Sequence, residues 1–270
     1  MTSHLCCPVC GSPLERQAHC LRCPKGHSYD IARQGYVHLL PVNRMNSQLP
    51  GDNPDMVRSR SRFLSGEYYR PLAEGLAEAV AKTAPGQGLL LDAGCGEGYY
   101  TAVLRERLPR LSCVGIDISK EAVKLAARRN PEGEFAVASA FHLPLAPESC
   151  DAVLCVFAPL AGEEFLRVLR PGGRLYCAFP GKRHLLELKE VLYDRVRLNE
   201  ENPHALAGFC WEESIPLAFS IHLPDRQAIQ DLYAMTPYYY RTPKAGAARL
   251  AALESLDCRC EFEIAVFRKQ

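Results

Sequence analysis

From about residue 88 onward, short unbroken apolar runs alternate with longer mixed stretches. Leu89-Leu90-Leu91, closed by Asp92, is one such run, and Cys113-Val-Gly-Ile-Asp117 is a second. Phe135-Ala-Val-Ala-Ser139 and Asp151-Ala-Val-Leu-Cys-Val-Phe157 follow. Runs of this length, bounded by turn residues and acids, suit strands buried on both faces of a parallel sheet. Helices are expected between them, over 99–108 and 163–169, the first stopped by Pro109. Arg170-Pro-Gly-Gly173 reads as a turn before a fifth strand, Arg174–Phe179, and the alternation across Cys260–Phe267 predicts a half-buried closing strand. Strands and helices in this rhythm predict an α/β fold with a doubly wound parallel sheet, which binds ligands at the carboxyl ends of its strands.

The first forty residues lack that rhythm and carry cysteines instead. The chain has 13 cysteines, five of them within residues 6–23. A disulfide framework belongs to short secreted chains, and this N-terminus has no apolar signal segment, so the cluster points to metal. Cys7-Pro-Val-Cys10-Gly has the form of a zinc knuckle, in which a tight turn aims two thiolates at one ion. Cys20 with Cys23, or Cys23 with His27, would complete a tetrahedron, and spacing alone slightly favours the first pair. Four good ligands leave no open position, so the zinc is expected to be structural and to supply stability that so short a segment cannot obtain by burial. The His-x-Glu and Pro-Cys-x-x-Cys pattern of zinc deaminases is absent.

Gly88-Leu-Leu-Leu-Asp92-Ala-Gly94-Cys-Gly96-Glu97-Gly98-Tyr-Tyr100 brings backbone close to a ligand. Asp117, nineteen residues after Gly98, ends the next strand, where it can accept hydrogen bonds from ribose hydroxyls. A dinucleotide loop would demand Gly at 99, which is Tyr99. Asp-x-Gly-x-Gly-x-Gly instead resembles the S-adenosylmethionine loop of Rossmann-like class I methyltransferases. Ser139, ending the third strand, would lie along the adenine, and Phe157-Ala-Pro159 would reach the catalytic rim.

Composition adds limits. Hydrophobic residues make up 47% and charged residues 23%, the balance of a globular protein with a large core. No apolar stretch has the ~18 residues of a membrane span, so a cytoplasmic protein with no membrane partner is expected. Net charge is only +1, but residues 1–72 carry nine Lys and Arg against five Asp and Glu. That excess places a phosphate-bearing partner at the front of the chain.

A zinc knuckle ahead of a methyltransferase is a narrow combination. With Cys23-Pro-Lys-Gly-His27-Ser-Tyr-Asp30, Arg33-Gln-Gly-Tyr36-Val-His-Leu-Leu40 and Arg183-His184-Leu-Leu-Glu-Leu188, the chain resembles the bacterial 23S ribosomal RNA guanine-N1 methyltransferases that modify hairpin 35, over nearly its whole length. The resemblance implies zinc ligands Cys7, Cys10, Cys23 and His27, with Cys20 outside the set. It implies cofactor contacts at Tyr69, Gly96, Glu97 and His184, besides Asp117 and the Asp92, Gly94 and Gly98 loop. It also implies a homodimer, and three segments: a zinc-binding RNA-recognition domain (1–40), a linker and helical extension (41–84) and the methyltransferase domain (85–270). Gly94-Cys-Gly96-Glu-Gly98 and Met235-Thr-Pro-Tyr-Tyr look closer to the branch acting at nucleotide 745 than to the tylosin-resistance branch acting at 748.

Methylation of guanine N1 requires in-line attack on a sulfonium methyl and departure of the N1 proton. His142 and His184 are the candidate bases by position, and Phe157 is a candidate platform for the base. The Phe157-Ala-Pro159 corner departs from the Asn/Asp-Pro-Pro-Tyr/Phe of amino-group methyltransferases, which argues against exocyclic amine methylation. Arg58, Arg60 and Arg62, and Tyr238, Tyr239 and Tyr240 followed by Arg241, are candidate RNA contacts, or else ordinary surface and packing residues. A small-molecule methyltransferase and a non-enzymatic RNA-binding protein are the competing readings. If the zinc segment only positions RNA, deleting residues 1–40 is expected to spare cofactor affinity.

Overall fold

Leu89, Leu90 and Leu91 are all buried, and they alternate between two hydrophobic clusters on opposite faces of a sheet. That alternation marks a strand covered on both sides, and it locates the molecule's main layer. The computed structural model describes residues 2–41, 51–84, 86–200 and 204–270. Residues 42–50, the start of the expected linker, and Pro85 at its end lie outside the described residues.

The N-terminal strands β1 (Thr2–Cys6), β2 (Pro13–Arg16), β3 (Cys20–Arg22) and β4 (Ser28–Asp30) form a four-stranded sheet in that order. β5 (Tyr36–His38) leaves it and joins the main layer. That layer contains β6 (Gly88–Ala93), β7 (Leu111–Asp117), β8 (Glu134–Val137), β9 (Cys150–Val156), β10 (Leu169–Pro180), β11 (Phe209–Leu223) and β12 (Leu256–Lys269). Its order is β11-β12-β10-β9-β6-β7-β8-β5. The pairs from β10 to β5 are parallel, whereas β12 runs antiparallel to β10 and to β11. The expected parallel sheet is therefore a mixed one, completed by an antiparallel pair. Arg170-Pro-Gly-Gly173, expected as a separate turn, is an irregularity inside β10, between Leu169 and Arg174, with Gly172 at φ +76°.

Helices α1 (Pro54–Ser65), α2 (Arg70–Thr83), α3 (Tyr99–Arg107), α4 (Lys120–Arg129), α5 (Gly162–Val168), α6 (Leu186–Leu192), α7 (Arg226–Ala234) and α8 (Lys244–Ala251) accompany the sheet. α1 shows how sequence sets a boundary. The Asn53 side chain accepts from the Met56 N–H at 3.0 Å, Pro54 occupies the first turn where no N–H is needed, and Asp55 faces the positive helix end. Its buried side chains include Met56, Val57, Phe63 and Leu64, the last two in the cluster that also holds residues of α2 and α3. No helix among the described residues is long and apolar enough to cross a membrane.

The N-terminal sheet is docked onto the main layer. Leu5 bridges Leu145, and the Cys6 N–H donates to the Pro144 carbonyl at 2.8 Å. Leu5, Cys7 and Cys23 share one buried cluster with Leu143, Leu145 and Ala138. His4 Nδ1 lies 2.6 Å from a Glu134 carboxylate oxygen at the start of β8.

This docking alters the expected effect of removing the front of the chain. A deletion of residues 1–40 takes away β5 and uncovers Leu143 and Leu145, each worth roughly 1.5–3 kcal/mol of burial. The truncated protein is expected to melt well below the intact chain by circular dichroism and to bind S-adenosylmethionine more than tenfold more weakly in calorimetry. Affinity within a few-fold of the intact protein would show that the first forty residues contribute nothing to the main layer.

Candidate functional site

Two glycine turns build the metal centre. Gly11, at φ +70°, donates its N–H to the Cys7 carbonyl at 2.8 Å, and Gly26, at φ +88°, donates to the Cys23 carbonyl at 2.9 Å. Positive φ is inexpensive only for Gly, so these turns curl Cys7-x-x-Cys10 and Cys23-x-x-x-His27 toward one point. The Cys10 and Cys23 sulfurs lie 3.7 Å apart, and His27 Nδ1 lies 3.5 Å from the Cys7 sulfur and 3.3 Å from that of Cys23. All four donor atoms fall within 4.8 Å of one another. Sulfurs at about 2.3 Å from a tetrahedral ion stand ~3.8 Å apart, so this donor set fits one Zn2+. The Tyr29 hydroxyl, 3.1 Å from the Cys7 sulfur, can donate to that thiolate. Cys20 sits on β3 with its sulfur 3.6 Å from Gln17 Oε1, outside the cluster, so the pairing that spacing slightly favoured gives way to Cys23 with His27.

At the carboxyl end of β6 the chain reverses through Gly94, Gly96 and Gly98, at φ +81°, +54° and +77°. Their surroundings differ. A Cβ at Gly98 would lie 2.9 Å from Ala126 Cα and one at Gly94 would lie 2.4 Å from Ala158 Cβ, whereas one at Gly96 would meet nothing within 4 Å. Gly98 thus permits close packing of the loop on α4, Gly94 brings it against the segment after β9, and Gly96 faces open space that a ligand can fill. Asp92, deeply buried, accepts from Thr101 Oγ1 at 2.5 Å and so ties the strand to α3; burial pushes its carboxyl up to about 7. Asp117 accepts from the Gly96 N–H at 3.0 Å and the Ser119 N–H at 2.8 Å. Burial raises its carboxyl pKa, and these two N–H groups oppose the rise.

Glu97 and His184 are both buried, and Glu97 Oε1 and His184 Nδ1 have no hydrogen-bond partner. An Arg129 guanidinium nitrogen stands 3.8 Å from Glu97. His184 is held neutral by burial, which lowers its imidazole to about 3, and it donates to the Glu261 carbonyl. Its ring centroid lies 4.5 Å from that of Phe262 and 6.3 Å from that of the buried Tyr69. Ser139 Oγ accepts from the Phe141 N–H at 3.2 Å, while His142 is exposed. Phe157 is 49% exposed, takes φ +53°, and places its ring 5.6 Å from Phe262. A loop open only at Gly96, with two orphaned buried polar atoms, fits S-adenosylmethionine.

The family described as the RlmA N-terminal zinc ribbon matches residues 5–48, and a methyltransferase domain family matches residues 91–177. The chain is 36% identical to the 23S rRNA (guanine(748)-N(1))-methyltransferase of Streptomyces fradiae, over 94% of this chain and 92% of that protein. It is also 36% identical to a provisionally named 23S rRNA (guanine-N(1)-)-methyltransferase of Micromonospora griseorubida, over 93% and 92%. The chain belongs to the 23S rRNA (guanine-N1)-methyltransferase family. Among solved structures, a protein provisionally described as a type II methyltransferase from Anaeromyxobacter dehalogenans superimposes with a TM-score of 0.51 at 25% identity, covering 75% of this chain and 96% of that one. This member of the family is thus an S-adenosylmethionine-dependent methyltransferase with a zinc ribbon at its front.

The methyltransferase uses its first arginines differently from the expectation for RNA contacts. Arg58 pairs with Asp55, Arg60 with Asp52, and Arg62 forms a two-pronged pair with Asp231 at 2.9 and 2.5 Å. All three are engaged within the protein. Tyr239 and Tyr240 are exposed, but the Tyr240 hydroxyl donates to the Met56 sulfur at 2.9 Å and fastens the 3-10 turn Pro237–Tyr240 to α1. Sequence reasoning missed Thr101 and Phe262, whose roles depend on partners far along the chain. The Ser119 hydroxyl also donates to the Asp52 carbonyl at 3.2 Å, which latches the entry to α1 beside Asp117.

Alanine at Cys7, Cys10, Cys23 or His27 is expected to release the zinc, measured by elemental mass spectrometry at one ion per chain, whereas Cys20→Ala keeps it. Zinc retained in His27→Ala and lost in Cys20→Ala would reverse the ligand assignment. For the cofactor loop, Asp117→Ala removes the acceptor that holds the Gly96 N–H and is expected to weaken S-adenosylmethionine by roughly 1–3 kcal/mol in calorimetry. Gly96→Val costs more, since it forces a β-branched residue to positive φ and fills the open space. Unchanged affinity in both variants would remove this loop from the cofactor site.

Proposed function

We propose that this chain methylates N1 of a guanine in the hairpin 35 loop of 23S ribosomal RNA, at the 745-type position, acting in the cytoplasm as a homodimer. The reading is carried by one observation. A four-donor zinc centre and an open glycine loop stand in one chain that aligns along more than nine-tenths of its length with 23S rRNA guanine-N1 enzymes. In this reading residues 1–40 recognise RNA, 41–84 form a helical extension, and 85–270 carry the chemistry.

When bound, S-adenosylmethionine supplies an electrophilic methyl on a sulfonium sulfur. Tyr69, Asp92, Gly94, Gly96, Glu97, Gly98, Asp117, Ser139 and His184 form its site, with Asp92, Gly94 and Gly98 acting through loop shape. A new bond joins guanine N1 to the methyl carbon as the sulfur–carbon bond breaks, and the N1 proton leaves. Phe157, half-exposed and held at positive φ beside the segment that touches Gly94, offers a face on which the guanine stacks. His184, neutral with a bare Nδ1, offers a hydrogen-bond acceptor and is too weakly basic to hold the proton. His142, exposed after Ser139, leaves a route by which the proton reaches water.

The 745-type target follows from Gly94-Cys-Gly96-Glu-Gly98 and Met235-Thr-Pro-Tyr-Tyr. A 748-type target is favoured instead by the printed target of the Streptomyces fradiae relative. Mass spectrometry of 23S rRNA fragments from cells with and without this protein decides between them. The expected result is loss of one N1-methylguanosine at the 745-type position. Loss at 748 establishes the second reading, and an unchanged methylation map overturns both.

A further inference from the structure

A basic track runs along the outer side of α4. Lys120, Lys124 and Arg128 are spaced by four, which places them on one face of that helix. Lys124 is occupied by Glu121 at 3.4 Å. Lys120 and Arg128 are exposed and have no acidic partner among the described residues. At the far end, Arg128 and the equally unpaired Arg33 line an open concavity of about 420 Å³, together with Gln34, Ala127 and Pro131. Arg33 and Gln34 belong to the turn between β4 and β5, so this hollow joins the zinc-bearing segment to the main layer. At the near end, Lys120 follows directly on Asp117 and Ser119 and lies close to His38 of β5. Burial lowers the His38 imidazole and the Lys120 ammonium lowers it further.

The three free cations therefore flank the junction of α4 with β5 from the amino edge of the sheet to the edge that carries the cofactor loop. Eight residues of helix separate Lys120 from Arg128, about 12 Å at ~1.5 Å per residue. Two guanidinium groups and an amide around one hollow match a phosphate, because planar donor forks bind its oxygens in pairs. We propose that Arg33, Gln34 and Arg128 hold one RNA backbone phosphate and that Lys120 holds another nearer the cofactor edge, so that this track leads the substrate strand toward the site. The proposal rests on the ribosomal RNA reading above.

The test measures binding of the full-length, zinc-loaded protein to a hairpin 35 RNA and to an unrelated hairpin, by fluorescence anisotropy across a salt series. Three alanines, at Arg33, Lys120 and Arg128, are expected to weaken hairpin binding at least tenfold at ~0.1 M salt and to flatten log K against log salt by about two to three. The exchanges Arg33→Lys, Lys120→Arg and Arg128→Lys keep the slope. S-adenosylmethionine affinity of the alanine variant, read by calorimetry, stays unchanged and reports an intact fold. An alanine variant that binds RNA with the wild-type affinity and slope overturns the track while leaving the substrate reading in place. A wild type with no preference for hairpin 35, but whose slope still falls with the alanines, upholds the track and overturns the substrate. Wild-type protein that binds neither RNA overturns both.

Discussion

The burial of one sheet on both faces governs where this molecule can do chemistry. Leu89 and Leu91 feed one cluster and Leu90 the other, and the same double coverage extends over β7 and β9. Polar groups cannot be placed there without partners, so ionisable side chains collect at the carboxyl edge, where the strands end and the backbone turns. Asp92, Glu97 and Asp117 all lie on that edge, and burial raises the carboxyl of each. Such acids are destabilising when left alone. Thr101 satisfies Asp92 and two backbone N–H groups satisfy Asp117, but Glu97 keeps an oxygen without a partner. The position nearest the open loop is the one left incomplete, as expected where a ligand completes the set.

The zinc segment solves a different problem. Four strands of three to five residues enclose too little apolar area to hold themselves together, and the metal replaces a core of their own. Yet Cys7 and Cys23 are also buried against Leu143 and Leu145, in the stretch that follows Ser139. Arg167 grips the same stretch from α5, donating to the Leu143 and Leu145 carbonyls at 2.9 and 2.7 Å. The ribbon is therefore one side of a clamp on a segment bordering the cofactor edge. Its metal contributes to the shape of that edge as well as to its own fold.

Much of this was legible in the sequence, for reasons that differ by element. The parallel strands announced themselves because burial on both faces leaves no polar position within them. The glycine loop was visible because positive φ at 94, 96 and 98 admits little else. β11 was not legible, since its polar and apolar residues are mixed and Pro216 interrupts it; its pairing partner lies some forty residues further on. β5 was likewise hidden. Three residues that follow a metal-binding segment give no sign that they pair with Phe135, Ala136 and Val137, a hundred positions away. The choice between Cys20 and His27 could not come from spacing because both spacings are sound. It is decided by β3, which carries Cys20 away from the other three sulfurs.

Charge shows why counting basic residues along a chain is a poor guide to its partner. The surplus in residues 1–72 includes Arg58, Arg60, Arg62 and Arg70, and every one of these is paired with Asp or Glu. Two of the acids, Asp52 and Asp55, are local, whereas Asp231 and Glu106 come from distant elements. These pairs fasten α1 and α2 to the rest of the molecule, and their charge is largely neutralised for an approaching phosphate. Arg33, by contrast, sits on a turn with no acid beside it, facing a helix whose Arg128 is equally free. What remains available to a polyanion is set by which cations the fold leaves unpaired, and that distribution exists only once β5 has been laid beside β8 and α4 brought alongside.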